Sequence, residues 1–159
     1  MQADCHRASL SKTRPVLWSG FLLLFLTGCL DFGGQDEWLP PEVTNVHLEQ
    51  IKHTTLIPLP AGTKGLAYLV DNGGIDGAMA AKVQIPSDKV TELLAADIFT
   101  KGSSESITQW IGPGRPWWKP EELVSPVSRT LQIKGNQFLG CILGTNGGDH
   151  FLYITWFDT

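Results

Sequence analysis

The sequence lacks the charge balance and the cysteine content that mark several common classes of protein. Its 159 residues include twelve lysines and arginines against sixteen aspartates and glutamates, and only three cysteines. Nucleic-acid-binding proteins usually show clustered basic residues, because cations neutralise the phosphates. The acidic balance therefore argues against nucleic acid as a partner. No segment repeats at a fixed spacing, which excludes solenoid architectures.

The sequence also lacks an apolar run long enough to cross a membrane. Its most apolar segment, residues 16–26, reads VLWSGFLLLFL and has eleven residues, whereas a spanning helix needs about 20. Basic residues precede this segment, and the small residues Thr27 and Gly28 follow it. A basic start, a short apolar middle and a small-residue end are the layout of an export signal peptide.

A four-residue motif closes this signal. Leu26, Thr27, Gly28 and Cys29 resemble the lipobox of bacterial lipoprotein precursors, in which an aliphatic residue and two small ones precede an obligatory cysteine. The resemblance implies that the Cys29 thiol is joined to diacylglycerol, that residues 1–28 are removed, and that the new amino group receives a fatty acid such as palmitate. Stable anchoring takes about two acyl chains, so a triacylated Cys29 would hold the protein on a membrane.

The lipoprotein resemblance also sets the expected location. In enterobacterial lipoproteins an acidic residue directly after the cysteine favours retention at the inner membrane, whereas here Leu30 follows Cys29. The resemblance thus favours the outer membrane, with the protein facing the periplasm. Nine basic and fifteen acidic residues remain from Cys29 onward, which gives the mature chain a formal charge of −6.

Beyond the anchor, the sequence predicts a tether followed by one folded domain. Residues 29–54 contain the lipidated cysteine, two glycines, the pair Pro40 and Pro41 and several acids, with little hydrophobic periodicity. Such a composition is typical of a linker. Residues 55–159 show strand and helix patterns and are predicted to form a single domain of the α+β class.

Two patterns define the first half of that domain. Apolar and polar residues alternate over residues 79–85, with the two-residue period of a half-buried strand. Ser87 then offers an N-cap, and apolar residues recur at helical spacing, which predicts one main amphipathic helix of about three turns. The helical positions are Val90, Leu93, Leu94 and Ile98.

The carboxyl-terminal third predicts a three-stranded antiparallel meander over residues 130–134, 137–143 and 150–157. The dipeptide Gly135–Asn136 between the first two segments is a good hairpin signal. If Lys134 pairs with Gln137, strict alternation places one group of apolar residues on one face of the sheet and a second group on the other. The first group is Leu131, Ile133, Phe138 and Ile142, and the second is Leu139, Cys141 and Leu143. The predicted fold is this antiparallel sheet packed on the helix.

Cys141 is the one thiol of the mature chain that lipidation leaves free, so an intramolecular disulfide is excluded. Its position inside the strand segment LGCIL favours a buried small hydrophobe. The alternative is a small periplasmic cysteine hydrolase, with Cys141 as nucleophile and His150, next to Asp149, as base.

The candidate metal ligands have unsuitable spacings. Residues 71–77, DNGGIDG, lack the alternating ligands and the distal glutamate of a calcium loop, and they predict a hairpin turn. His47 and His53 are six residues apart, whereas two histidines on one helix face are four apart. The sequence therefore predicts neither a metal site nor a cofactor.

The most unusual segment is WIGPGRPWWKPEE, residues 110–122. Its tryptophans could stack on sugar rings or anchor a protein partner, and its cations could engage a carboxylate. The competing interpretation is that the rings pin an irregular loop to the sheet. The candidate binding residues are Trp110, Arg115, Trp117, Trp118 and Lys119.

The leading functional hypothesis is a non-enzymatic, lipid-anchored envelope protein that binds a protein or peptidoglycan partner. Inhibitor and immunity lipoproteins are one concrete form of this hypothesis. The alternatives are the Cys141/His150 hydrolase and an assembly or structural subunit of the outer membrane.

Overall fold

A six-stranded antiparallel β-sheet forms the centre of the computed structural model, which describes residues 34–73, 76–104 and 111–159. The spatial order of its strands is β1-β2-β3-β6-β5-β4. The strands are β1 (Gln35–Trp38), β2 (Lys64–Asp71), β3 (Ala78–Ile85), β4 (Val124–Lys134), β5 (Gln137–Asn146) and β6 (Asp149–Asp158). The helices are α1 (Asn45–Thr55), α2 (Val90–Leu94) and α3 (Asp97–Lys101), and single 3₁₀ turns occur at Ser87–Lys89 and Pro120–Glu122.

The predicted α+β class and the carboxyl-terminal meander are confirmed. Strands β4, β5 and β6 are neighbours in chain order, and Lys134 pairs with Gln137 across the first hairpin. The half-buried strand predicted over residues 79–85 is also present, as β3, which pairs with β6 along its whole length. Strand β6 therefore joins the meander to β3 and, through it, to β2 and β1.

The prediction of a tether over residues 29–54 is wrong from residue 35 onward. Strand β1 pairs with β2, and α1 buries Leu48, Ile51 and Thr55 against the sheet. The sequence signal was weak because β1 has only four residues and α1 has few large apolar residues. The α1 amino terminus also uses His47 where glutamate or glutamine is usual, and the imidazole Nδ1 accepts the Thr44 backbone N–H at 3.0 Å.

The prediction of one main helix after Ser87 is also wrong. The segment forms a 3₁₀ turn and two five-residue helices, because the backbone at Ala96 is extended and interrupts the helical hydrogen bonding. The longest described helix is α1, which lies in the segment predicted as a tether. None of the described helices is long and apolar enough to span a membrane.

The larger core lies between the sheet and the three helices, on what we call the helix face. Apolar side chains alternate along the four inner strands, β2, β3, β6 and β5, and meet the buried sides of the helices, as the two-residue and 3.6-residue periods require. The sheet side chains of this core are Tyr68, Met79, Ala81, Val83, Ile85, Leu139, Cys141, Leu143, Leu152 and Ile154, and the helices contribute Leu48, Ile51, Leu93 and Ile98.

A second core covers the opposite surface of the sheet, which we call the loop face. The chain passes the β4 edge at Ser103, which exchanges two backbone hydrogen bonds with Thr130, and residues 111–123 then lie on the other side of the sheet. Their apolar side chains pack on Leu69, Ala80 and Tyr153. Both surfaces of the sheet are therefore covered, one by helices and one by an irregular segment.

The predicted division of the meander between the two faces is wrong for β4. A β-bulge between Gln132 and Lys134 places Leu131 opposite Leu139, on the helix face. Because a bulge adds one residue to one strand, every β4 side chain beyond it moves to the other face. Both Leu131 and Ile133 consequently pack on the helix-face core with Leu139. Phe138 and Ile142 lie on the opposite face of the sheet.

Candidate binding site

The tryptophan-rich segment forms part of the loop-face core. Trp118 is 6% exposed and packs edge-on against the Tyr153 ring, with ring centroids 5.2 Å apart. Ile111 and Leu123 are buried beside it. The structure therefore gives Trp118 a packing role, and only part of this segment is left for contact with a partner. Trp110 lies outside the described residues.

The backbone of the segment is shaped around the Trp118 ring. Gly112 has a φ of +106°, and a Cβ atom at this position would lie 2.7 Å from Cε3 of Trp118. Glycine is the one residue that meets both requirements, since it has no Cβ and tolerates a positive φ. Gly112 consequently allows the indole to sit directly against the loop backbone.

Glu37 on strand β1 ties the segment to the edge of the sheet. Its carboxylate accepts hydrogen bonds from the Trp117 indole Nε1–H and from the Arg115 guanidinium, whose Nη1 lies 3.1 Å from Oε2. The Arg115 guanidinium also donates to the side chain of Gln35. These contacts join residues about 80 positions apart in the chain and hold the loop on β1.

Three of the predicted binding residues remain accessible. Trp117 and Arg115 are half-buried, and the Lys119 side chain is exposed and pairs with Glu122 at 3.1 Å. The hydrogen bond that Lys119 donates to the Glu122 carboxylate raises the pKa of Lys119, so this side chain stays cationic. The accessible part of the segment therefore presents an indole and two cations in fixed positions.

Lys82 is a further residue of this surface that sequence reasoning missed. Its Nζ lies 5.2 Å from the centroid of the Phe151 ring and 5.1 Å from that of Tyr153. It makes no ion pair with any carboxylate in the described part of the chain. Alternation placed Lys82 on the polar side of β3, but only the register with β6 shows that two rings lie beneath it.

We use the term loop surface for Arg115, Trp117, Lys119, Lys82 and Phe151. All five lie on the loop face and are at least partly exposed. The protein has an acidic balance, yet three of its basic side chains are present here. An aromatic surface bearing cations suits a partner that offers carboxylates together with apolar or sugar rings.

The structure does not bring the proposed catalytic pair together. Cys141 pairs with Ile154 on β6, and His150 lies four residues before Ile154 on that strand, or about 13 Å from it. Cys141 is 1% exposed, and burial raises the pKa of its thiol well above the usual range. His150 instead lies at the end of the sheet, 3.2 Å from the Ser87 hydroxyl. This geometry does not support an active cysteine nucleophile.

The other candidate ligands have ordinary structural roles. His47 caps α1 and lies against the rings of Trp38 and Tyr68. The Asp71 carboxylate accepts hydrogen bonds from Gln35 and the Gly73 N–H, which lower its pKa. Residues 74 and 75 of the predicted turn lie outside the described residues, as does Cys29. Across the residues that the structure does describe, no group of three acidic, histidine or cysteine side chains could hold a metal ion.

Comparisons of this chain with protein-family models, with curated proteins and with solved structures found no match. The two features that bear on function are the resemblance of residues 26–29 to a lipobox and the loop surface in the structure.

Proposed function

We propose that this protein is a lipid-anchored envelope lipoprotein that binds a protein or peptidoglycan partner and is not an enzyme. The observation that carries the proposal is the lipobox, residues 26–29, placed directly before a folded domain. Strand β1 begins at Gln35, six residues after Cys29. On this proposal Cys29 carries the lipid, residues 1–28 are the removed signal, and the domain faces the periplasm from the outer membrane.

The distance between anchor and domain supports a role at the membrane surface. Six residues span at most about 21 Å when fully extended. This distance is shorter than the diameter of a small domain, which is about 30 Å. A lipidated Cys29 would therefore hold the domain next to the bilayer, where only partners close to the membrane can reach it.

The loop surface is the proposed contact region for the partner. Glu37 fixes Trp117 and Arg115 before any partner arrives, so little side-chain freedom is lost on binding. Trp and Arg are enriched among the residues that dominate binding energy at interfaces. Trp118, which sequence reasoning grouped with them, supports the surface from below and is too buried to contact a partner.

Site-specific photo-crosslinking in cells tests this assignment. A photoreactive amino acid at Lys119 on the loop surface is compared with one at Val46, which is 65% exposed on the outer side of α1. A dominant adduct from position 119 and none from position 46 is the expected result. An adduct from position 46 alone would move the partner to the helix side and refute the loop surface.

A Cys29→Ser variant of the same strains tests the role of the anchor. The adduct from position 119 should be lost, because the unlipidated domain is no longer concentrated at the membrane. If the dominant adduct joins the chain to an outer-membrane assembly complex in fixed proportion, the structural-subunit alternative is favoured over a separate binding function.

A further inference from the structure

A cavity of about 520 Å³ lies on the helix face, on the side of the sheet opposite the loop surface. Sites for small molecules usually have volumes of roughly 300–1,000 Å³. The walls come from the end of α1, from the turn between α2 and α3 with the start of α3, and from β4 and β5. Apolar side chains, among them Leu56, Ile98, Leu131 and Leu139, share the lining with the polar side chains of Thr55 and Gln132.

The cavity lies toward the end of the sheet at which the chain enters the domain. Leu131 and Leu139 flank the β4–β5 hairpin, and the hairpin residue Gln137 pairs with Asp158 at the end of β6. The start of β3 lies at the same end, where it pairs with the end of β6. Asp71, the last residue of β2, pairs with the start of β3 on one side and with Gln35, the first residue of β1, on the other. Five strand spacings, or about 24 Å, separate β1 from β4 at this end.

The rim of the cavity carries an apolar side chain in an unusual conformation. Leu56 ends α1 in the left-handed region with a φ of +58°, and its side chain is 70% exposed. Glycine or asparagine is the usual residue at such a position. A leucine here is therefore unfavourable for the isolated domain, both in its backbone and in its exposed apolar surface.

The charged part of the rim consists of one acid and one base. Asp97 and Lys101 form an ion pair of 2.9 Å, and both side chains are about two-thirds exposed. A paired acid and base suit a headgroup that itself carries both charges, whereas a mature chain with a net charge of −6 is repelled by anionic lipid. The rim therefore favours a zwitterionic headgroup.

We propose that the helix-face cavity takes up one acyl chain of a zwitterionic phospholipid from the bilayer to which the protein is anchored. The inference rests on the proposed function, because the short segment of five residues between Cys29 and Gln35 is what brings this end of the sheet to the membrane. Leu56 covers the inserted chain, and the Asp97–Lys101 pair lies next to its headgroup. The cavity thereby gives the domain a second, non-covalent contact with the membrane.

Photolabelling in vesicles tests the proposal with the mature, acylated protein purified from membranes. The vesicles consist mainly of phosphatidylethanolamine and contain a trace of phosphatidylcholine with a diazirine in the middle of one acyl chain. After irradiation, mass spectrometry locates the labelled peptides. Label is expected on residues 95–101 and 131–139, and a parallel intact-mass measurement records the acylation of Cys29.

Two variants show whether the label reports the cavity itself. Ala95→Trp fills the cavity at an exposed lining position, and Ala61→Trp adds the same side chain at an exposed turn away from it. Ala95→Trp should lower the cavity labelling about tenfold, equivalent to 1.4 kcal/mol, whereas Ala61→Trp should leave it unchanged. Leu56→Asn should also reduce the labelling while raising the urea midpoint, because asparagine suits the left-handed conformation.

The outcomes separate this inference from the proposed function. An acylated Cys29 with label confined to residues near the anchor overturns the cavity assignment and leaves the lipoprotein proposal in place. Equal labelling of the Ala95→Trp and Ala61→Trp proteins overturns it as well, as does a protein partner crosslinked at the cavity in cells. A chain without acyl groups at Cys29 overturns the proposed function itself.

Discussion

Replacing Trp118 by alanine separates the packing role of the tryptophan-rich segment from its proposed binding role. Trp118 is buried in the loop-face core against Tyr153, and removing a buried tryptophan costs about 3–5 kcal/mol. Trp117 is half-buried, and its replacement removes one hydrogen bond to a carboxylate and an edge contact with the Trp118 ring, for which about 1–2 kcal/mol is expected in total. Trp118→Ala should therefore be the more destabilising change, and Trp117→Ala the one that weakens partner binding.

Urea unfolding of the two variants, followed by circular dichroism, measures this difference. With a denaturant slope of about 2 kcal/mol per M, Trp118→Ala should lower the midpoint by roughly 2 M and Trp117→Ala by less than about 1 M. Trp118→Phe, which keeps an aromatic ring in the same place, serves as the control and should lose only part of the stability. A midpoint lowered more by Trp117→Ala than by Trp118→Ala would refute the assignment of the two indoles.

Three further predictions concern other parts of the domain. Gly112→Ala should destabilise the protein by more than about 2 kcal/mol, because φ is positive and the new Cβ would collide with the Trp118 ring. Gly114→Ala is the control and should cost only about 1 kcal/mol, because φ is also positive there but the space is open. Similar urea midpoints for the two glycine variants would contradict this account. His47→Ala should lower the free energy of unfolding by about 1 kcal/mol, because it removes the acceptor of the Thr44 N–H. His47→Gln should retain most of that stability, because glutamine can accept the same hydrogen bond. Equal losses of stability in the two variants would mean that the cap contributes little. Burial raises the pKa of the Cys141 thiol, so above pH about 8.5 the folded state keeps a proton that the unfolded chain releases. The unfolding free energy should therefore fall above this pH, by up to about 1.4 kcal/mol per pH unit. Cys141→Ala should lack this decline between about pH 8.5 and 9.5, and a decline that persists in the variant would assign it to another group.

Regular alternation was the part of the fold that could be predicted from the sequence. Strand β3 and the three strands of the meander have the two-residue period over many positions, and the Gly135–Asn136 turn sets the first pairing. The elements that the sequence did not predict are held in place by contacts with residues distant in the chain. Strand β1 is an edge strand of four residues, and its glutamate is fixed by a loop about 80 residues away, which no local pattern indicates.

The sequence likewise predicted the location of the candidate site but not the arrangement of its side chains. Composition alone drew attention to residues 110–122, but whether each indole is buried or accessible depends on the packing of the loop on β6 and β1. Lys82 could be assigned to the loop surface only from the strand register, which places it beside Tyr153. The β4 bulge likewise changed which residues line the helix face, because one inserted residue reverses the alternation.

On the proposed function, Cys29 anchors a domain that begins only six residues later. The most direct test of this anchoring is the intact mass, with fragmentation, of the protein extracted from native membranes. The proposed function predicts a mature chain that starts at Cys29, lacks residues 1–28 and carries the mass of three acyl chains on its first residue. A chain that retains residues 1–28, or one that starts at residue 29 without acyl groups, would contradict it.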